Sequence, residues 1–378
     1  MNDHYIGLMS GTSLDGTDGV LVDFSSQPLR IVATASEPFC SALRAELLAL
    51  NAPSDNELHR AAQAANALAA VSAQVVQRLL AQAAALGIAP SDIKAIGAHG
   101  QTVRHQPQRT SPAPSGAGYT VQLNNPALLA ELTGVDVVAD FRSRDVSAGG
   151  QGAPLVPAFH QSLFGRPDRT VLVLNLGGIS NLSVLTPPGV GPVQGFDCGP
   201  GNALMDAWCQ QHTGQPFDAN GLWAASGQLI PALLSSLLNA PYFSKLPPKS
   251  TGRDLFSLVW LKQKLAPFVA HRPEDIQNTL TEFTATACFT EAIRYKKNST
   301  ELIVCGGGAF NLHLLQRLQA GLPTLHVSTS SAHGLHPLQV EAAAFAWLAR
   351  QTLHRLPGNL PSVTGAAGLR VLGAIYPA

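Results

Sequence analysis

Charge is scarce in this 378-residue chain: Asp, Glu, Lys and Arg make up 13% of it, and 24 acidic residues balance 24 basic ones. A chain so poor in charge, with 46% hydrophobic residues, supplies a large core, which excludes a disordered protein. The balance leaves no overall attraction to nucleic acid or to an anionic membrane. The five cysteines, Cys40, Cys198, Cys209, Cys288 and Cys305, are scattered. They form no CxxC pair and no zinc-ligand spacing, so reduced thiols in a cytoplasm fit best. No apolar run reaches membrane-spanning length, and the opening MNDHYIG lacks the basic-then-apolar pattern of a secretory leader. A cytoplasmic protein with neither nucleic-acid nor membrane partner is expected, of a length that suits two domains.

What is present is concentrated near the start. Tyr5 to Phe24 read YIGLMSGTSLDGTDGVLVDF: an apolar strand, a small-residue turn, two acids each beside a glycine, and a second apolar strand. Glycines allow close backbone approach, and successive N–H groups in such a turn make a nest for anions. Thr12 and Ser13 add hydroxyl donors, and Asp15 and Asp18 suit a phosphate carried with Mg²⁺. The segment from Gly11 through Leu14, Gly16 and Thr17 to Asp18 is therefore a candidate nucleotide-phosphate hairpin. A Walker A loop is excluded, because there is no lysine and a strand follows. A dinucleotide fingerprint is excluded too, since that opens a helix. An ordinary Gly-rich hairpin is the plain alternative.

The apolar patterning predicts strands at Tyr5–Met9, Val20–Phe24 and Arg30–Ala35, then helices near Ser41–Asn51 and Asn56–Leu86. The second helix is rich in alanine, as close helix packing favours. A strand at Lys94–Ala98 follows, then a Pro-, Ser- and Gly-rich excursion from Gln106 to Gly118, a short strand Tyr119–Leu123, a helix capped by Asn125-Pro126, and a strand Val135–Ala139. The order then repeats: strands at Thr170–Leu176, Asn181–Leu185 and Pro192–Asp197, a helix to about His212, a mostly helical stretch over about 220–295, strand Glu301–Cys305, helix Phe310–Ala320, strand Thr324–Ser328 and a helix from Pro337 to His354. LNLGGISNLSVL (Leu174 to Leu185) echoes the opening hairpin as a pattern rather than letter by letter. A third glycine run, Gly306-Gly307-Gly308 with Asn311, stands between a strand and a helix, where a base or ribose can lie on the backbone.

Two α/β halves, each opening on such a hairpin, resemble the actin, Hsp70 and sugar-kinase superfamily. Within it, nearly the whole chain resembles the anhydro-N-acetylmuramic acid kinases, through GLMSGTSLDGTD (Gly7 to Asp18), GAHGQTVRHQP (Gly97 to Pro107), DFRSRDVSAGGQGAPLVPAFH (Asp140 to His160), NLGGISN (Asn175 to Asn181), GFDCGPGNALMDAW (Gly195 to Trp208), KSTGRDLF (Lys249 to Phe256), CGGGAFN (Cys305 to Asn311), VEAAAFAWLA (Val340 to Ala349) and LPSVTGA (Leu360 to Ala366). The resemblance implies an α/β fold of two actin-like (ribonuclease H-like) domains flanking a nucleotide cleft. The first would be 1–141 with 355–378 packed back on it, and the second 142–354 with a helical insertion at about 220–295. It implies ATP- and Mg²⁺-dependent opening of 1,6-anhydro-N-acetylmuramic acid with phosphorylation of O6, in peptidoglycan recycling, by a homodimer.

The resemblance also assigns roles. Asp197 would be the base for water, the plain alternative being a helix cap. Asn175, Gly177 and Gly178 would oppose the first hairpin. Arg142 and Arg144 are candidates for the sugar's carboxylate, with surface ion pairs to Asp140 or Asp145 as the alternative. Glu341, His99 and Gln101 are candidates for the rest of the sugar site. Two rivals are a kinase for another amino sugar and an ATP-driven binding protein of the actin or Hsp70 kind.

Overall fold

In the computed structural model, residues 3–11, 14–26, 28–107, 118–252 and 255–378 are described. Thr12, Ser13 and most of the Gln106–Gly118 excursion therefore lie outside the described residues. In chain order the strands are β1 (His4–Met9), β2 (Gly16–Asp23), β3 (Arg30–Pro38), β4 (Ile93–Ala98), β5 (Gln101–Gln106), β6 (Tyr119–Leu123), β7 (Val137–Ala139), β8 (Val171–Leu176), β9 (Ile179–Leu185), β10 (Gln194–Pro200), β11 (Glu301–Cys305), β12 (His326–Thr329) and β13 (Ala374–Tyr376).

The chain divides into two compact units: everything up to Leu163 together with Gln339–Ala378, and Phe164–Leu338. The first holds a six-stranded sheet in the order β13-β7-β4-β1-β2-β3. β1, β2 and β3 form an antiparallel meander, and β4 and β7 run parallel to β1. The second holds β10-β9-β8-β11-β12, again a meander (β8, β9, β10) with two parallel strands beside its first member. Apart from the edge strand β13, the second sheet repeats the order and directions of the first, the arrangement of a ribonuclease H-like domain used twice.

The first unit's core is built between the sheet and its helices. The helix Glu57–Ala85 buries Ala64, Ala65, Ala69, Ala73 and Ala83 and lies on β2 and β3, so its alanines serve close packing. The helix Pro126–Thr133 begins as expected, with Asn125 accepting from the Leu128 N–H at 3.1 Å and proline in the first turn. From the far end of the chain, the helix Val340–Leu353 lies across β1, β2 and β4. It approaches so closely that a Cβ on Gly7 would stand 1.8 Å from the Ala342 carbonyl oxygen, and one on Gly97 2.0 Å from that of Phe345. The run of small residues in VEAAAFAWLA is thus the matching half of a backbone-to-backbone contact.

That contact moves the division of the chain. Residues 142–163 and the helix at 340–353 belong to the first unit, so the divisions fall at 163/164 and 338/339 rather than at 141/142 and 354/355. The segment 355–378 does return to the first unit, where β13 pairs with β7. β5 and β13 are additions to the expected strands. β5 pairs with β6 as a separate two-stranded ribbon.

In the second unit the helix Pro273–Tyr295 is the central post, with Phe283 fully buried and contacts to β9 and β10. Its buried threonines satisfy their hydroxyls: Thr279 donates to the Asp275 carbonyl at 2.7 Å, Thr281 to that of Gln277 at 3.0 Å, and Thr284 to that of Gly201 at 3.1 Å. No described helix is long and apolar enough to cross a membrane.

Candidate active site

In the first unit, β1 runs out through buried Ser10, whose hydroxyl donates to the Gln101 side-chain oxygen. Leu14 takes the left-handed conformation at φ 59°, donates its N–H to the Gly11 carbonyl at 3.2 Å, and anchors the turn by burial against the Phe39 and Leu47 cluster. Beyond it Asp15 is exposed, 3.7 Å from the Arg44 guanidinium, an ion pair of little energetic weight there. Asp18 stands on β2 opposite Met9 and Ser36 on the solvent side, while Thr17 beside it faces the core. Crowding by surrounding atoms, and then the negative charge of Asp15, raise the Asp18 carboxyl above its usual value. Of the expected phosphate-loop residues, then, Leu14 and Thr17 are inward anchors, and Asp15 and Asp18 form the outward acidic pair.

A second group in the same unit gathers at the end of β4. Buried His99 packs against Phe345 at 4.7 Å between ring centroids. Arg142 reaches its Nε2 from Nε at 3.2 Å and from Nη2 at 2.9 Å, and donates Nη1 to the Gly152 carbonyl at 2.7 Å. An imidazole nitrogen that accepts from a guanidinium carries no proton, so His99 is neutral with its proton on Nδ1. Burial and the Arg142 charge accordingly push His99 down to about 3. Burial lowers Arg142 to about 10, opposed by the negative charges of Glu341 and Asp145. His99, Gln101, Arg142 and Glu341 are thus drawn into one neighbourhood. Arg144 is exposed. The partners named in the alternative of surface ion pairs are otherwise engaged: Asp140 accepts from the Ser143 hydroxyl at 2.5 Å. Asp145, fully buried, gathers the Gly152 N–H, the Asn359 amide and the Thr364 hydroxyl at 2.7–2.8 Å.

In the second unit, the turn between β8 and β9 is Gly177-Gly178. It is clasped by the N–H groups of Asn202 and Gly201, which donate to the Gly177 and Gly178 carbonyls at 2.8 and 2.9 Å. The glycines separate into two kinds. A Cβ on Gly306 (φ +80°) would collide with Asn175 Oδ1 at 2.4 Å and one on Gly308 with the Leu176 Cβ at 2.6 Å, so these two are required by packing. Gly177, Gly178 and Gly307 would meet nothing nearer than 3.6 Å. Their freedom from side chains has no packing reason, as expected of backbone left bare for a ligand. The Asn311 side chain accepts from the Leu314 N–H at 2.9 Å and so caps the helix Leu312–Gly321.

Asp197 lies in β10 just before the register with β9 shifts. It caps no helix: the following helix, Ala203–Thr213, has Asn202 at its N-cap position. Its Oδ2 accepts from the Thr251 N–H at 2.9 Å, its own N–H goes to the Lys249 carbonyl at 3.2 Å, and the Tyr242 hydroxyl holds its carbonyl at 2.7 Å. Burial raises the carboxyl to about 6, against the opposing pull of the Thr251 N–H and the Lys249 charge.

Comparison with known proteins decides the family. The family model described as anhydro-N-acetylmuramic acid kinase matches residues 3–378. The chain belongs to this family. Curated relatives carrying that name include one from Variovorax paradoxus (strain S110), 63% identical over 99% of both chains, and one from Albidiferax ferrireducens, 63% identical over the whole of both. Among solved structures, a xylulose kinase from Rhodospirillum rubrum aligns over 91% of this chain and 89% of its own, at 14% identity and a TM-score of 0.44, too low to carry any comparison of parts. As a member of a kinase family the chain is a phosphotransferase. The surroundings of Asp197 in this member, Tyr242, Lys249 and Glu291, were not singled out from the sequence. KSTGRDLF was visible as a motif, but nothing in its letters pairs it with a strand some fifty residues earlier.

Proposed function

We propose that this kinase uses ATP and water to convert 1,6-anhydro-N-acetylmuramic acid into N-acetylmuramic acid 6-phosphate and ADP, in the cytoplasmic recycling of peptidoglycan. In such a sugar O6 is tied to C1 and has no proton to give up. Water must therefore add at C1 as the C1–O6 bond breaks, and O6, with the electron pair of that bond, takes the γ-phosphoryl group from ATP. The proton released by the water goes to Asp197. The observation that carries this reading is the Asp197 environment. A carboxyl with a pKa of about 6 is charged at neutral pH yet basic enough to accept a proton, the compromise a general base requires.

The bare backbone at Gly177, Gly178 and Gly307, and the first-unit turn at Gly11, are assigned to the nucleotide and its phosphates. Gly306, Gly308, Asn175 and Asn311 shape those loops from behind. Asp15 and Asp18 fit Mg²⁺ held through water: both are outward-facing, and the Asp15 charge, which adds to burial in raising Asp18, is what a cation would offset. When bound, Mg²⁺ neutralises charge on the transferring phosphoryl group. Arg142, fixed by His99 and Gly152, is assigned with Arg144 to the lactyl carboxylate, and His99, Gln101 and Glu341 to the rest of the sugar site. A homodimer, tested by sedimentation, belongs to the same reading.

The test is ATP turnover over a panel of amino sugars, with product masses. Turnover should require the anhydro sugar, and the product should exceed it by one water plus one phosphoryl group. A product gaining phosphate alone, from a sugar with a free hydroxyl, would overturn the reading.

A further inference from the structure

The mechanism uses Asp197 but leaves unexplained the charged cluster behind it. Lys249 is buried, and its Nζ lies 2.9 Å from Glu291 Oε1, the two side chains being 1% and 4% exposed. Lys249 Nζ also sits 5.0 Å from the Tyr242 ring centroid. Glu291, on the helix Pro273–Tyr295, accepts from Arg294 Nη1 at 3.1 Å. A buried ion pair is weak evidence of a stabilising role, since apolar residues of similar volume often do as well. Its position says more. The carbonyl of Lys249 holds the Asp197 N–H, and two residues on, the Thr251 N–H holds the Asp197 carboxylate. Tyr242, beneath the ammonium, holds the Asp197 carbonyl.

We propose that Lys249, locked in place by Glu291, is the positioning residue of Asp197, fixing the carboxylate through the 249–251 segment and supplying the positive charge that faces it. The inference rests on the reading of Asp197 as the base. The groups facing Asp197 are Lys249 on the adjoining segment, Tyr242 on the turn before it and Cys198 on its own strand; behind Cys198 and Tyr242 stand Cys288 and Glu291 on the helix, with Arg294 paired to Glu291. Of these, Lys249 is the charge that acts to lower Asp197, while Glu291 is the partner of Lys249. Removing Lys249 should therefore raise the pH at which Asp197 gives up its proton. Removing the Glu291 charge should not.

The test is the pH dependence of kcat in Lys249→Met, Glu291→Gln and the doubly apolar Lys249→Met/Glu291→Met, which stays foldable if the single lysine variant does not. The acidic limb should move up by about one pH unit in the lysine variants, a loss of about fivefold at pH 6 that approaches tenfold at lower pH and recovers at high pH. KM for ATP should stay unchanged, and the limb should stay in place or move down in Glu291→Gln. A purely structural pair would lower kcat at all pH values alike. A limb that stays put in both lysine variants, or moves up equally in Glu291→Gln, overturns the inference. Near-normal turnover in Asp197→Asn would instead remove the base itself, so the two failures are told apart.

Discussion

The two units share a strand order and divide the chemistry between them. In the first, the groups at the strand ends are a neutral histidine, a constrained arginine and an outward acidic pair. In the second, the hairpin carries bare glycines and no acid, and the strand that ends the meander carries a buried carboxylate backed by an ion pair. One scaffold used twice has been specialised by its loops, as expected where strands supply rigidity and strand ends supply function.

The sharpest way to break this division is Asp197→Asn. It should lower kcat by about 10²–10⁴ with ATP binding intact by calorimetry; a near-normal kcat would take the base away from the second unit. Next in size is Gly97→Ala, whose Cβ has no room beside the Phe345 carbonyl. It should cost about 1–3 kcal/mol in denaturant unfolding, with hydrogen exchange rising in the first unit. The same substitution at Gly307, where space is open, should change stability by less than about 0.5 kcal/mol while weakening nucleotide binding. Equal losses at both sites would erase the distinction drawn between packing and ligand glycines. Arg142→Met should raise KM for the sugar by about 10–100-fold, the worth of a charge-assisted hydrogen bond, and should do so less for an analogue lacking the lactyl carboxylate.

The last contrast is a difference in pH response. His99 and His160 are held down to about 3 by burial, against 6.5 when unfolded. Between those values the unfolded chain binds more protons, so their contribution is present above pH 6.5 and is lost as pH falls through the window. Asp197 is the reverse. Raised from 3.8 to about 6, it favours the folded state below pH 3.8, and that contribution is lost as pH rises through 6. Native-state hydrogen exchange at pH 5 should therefore show the first unit loosening relative to pH 7. Asp197→Asn should raise the melting temperature at pH 7–8 and not near pH 3.5. A uniform response of both units would count against these burial assignments.

Much of the fold was legible because the meanders are strongly apolar and bounded by glycine, and because NLGGISN echoes SGTSLDG in pattern. β5, reading QTVRHQ, was hidden by its polarity, and β13 by its three-residue length. The helix at 340–353 was placed with the wrong neighbours because adjacency in sequence was the only available guide, whereas its contact is with Gly7 and Gly97. In the candidate site, single residues such as Asp197 and Arg142 were marked by the family resemblance, but partnerships were not. Lys249 and Glu291 are separated by 42 positions, and local spacing carries no trace of a contact made by tertiary packing.

The close seat of the helix Val340–Leu353 on β1 and β4 has a consequence for how the protein is made. A chain emerging from the ribosome releases Phe164–Leu338, continuous and complete, before the residues that finish the other unit. The N-terminal sheet, synthesised first, waits with its glycine stripe uncovered until this helix and β13 arrive. The part of the molecule that is born first is the part that matures last.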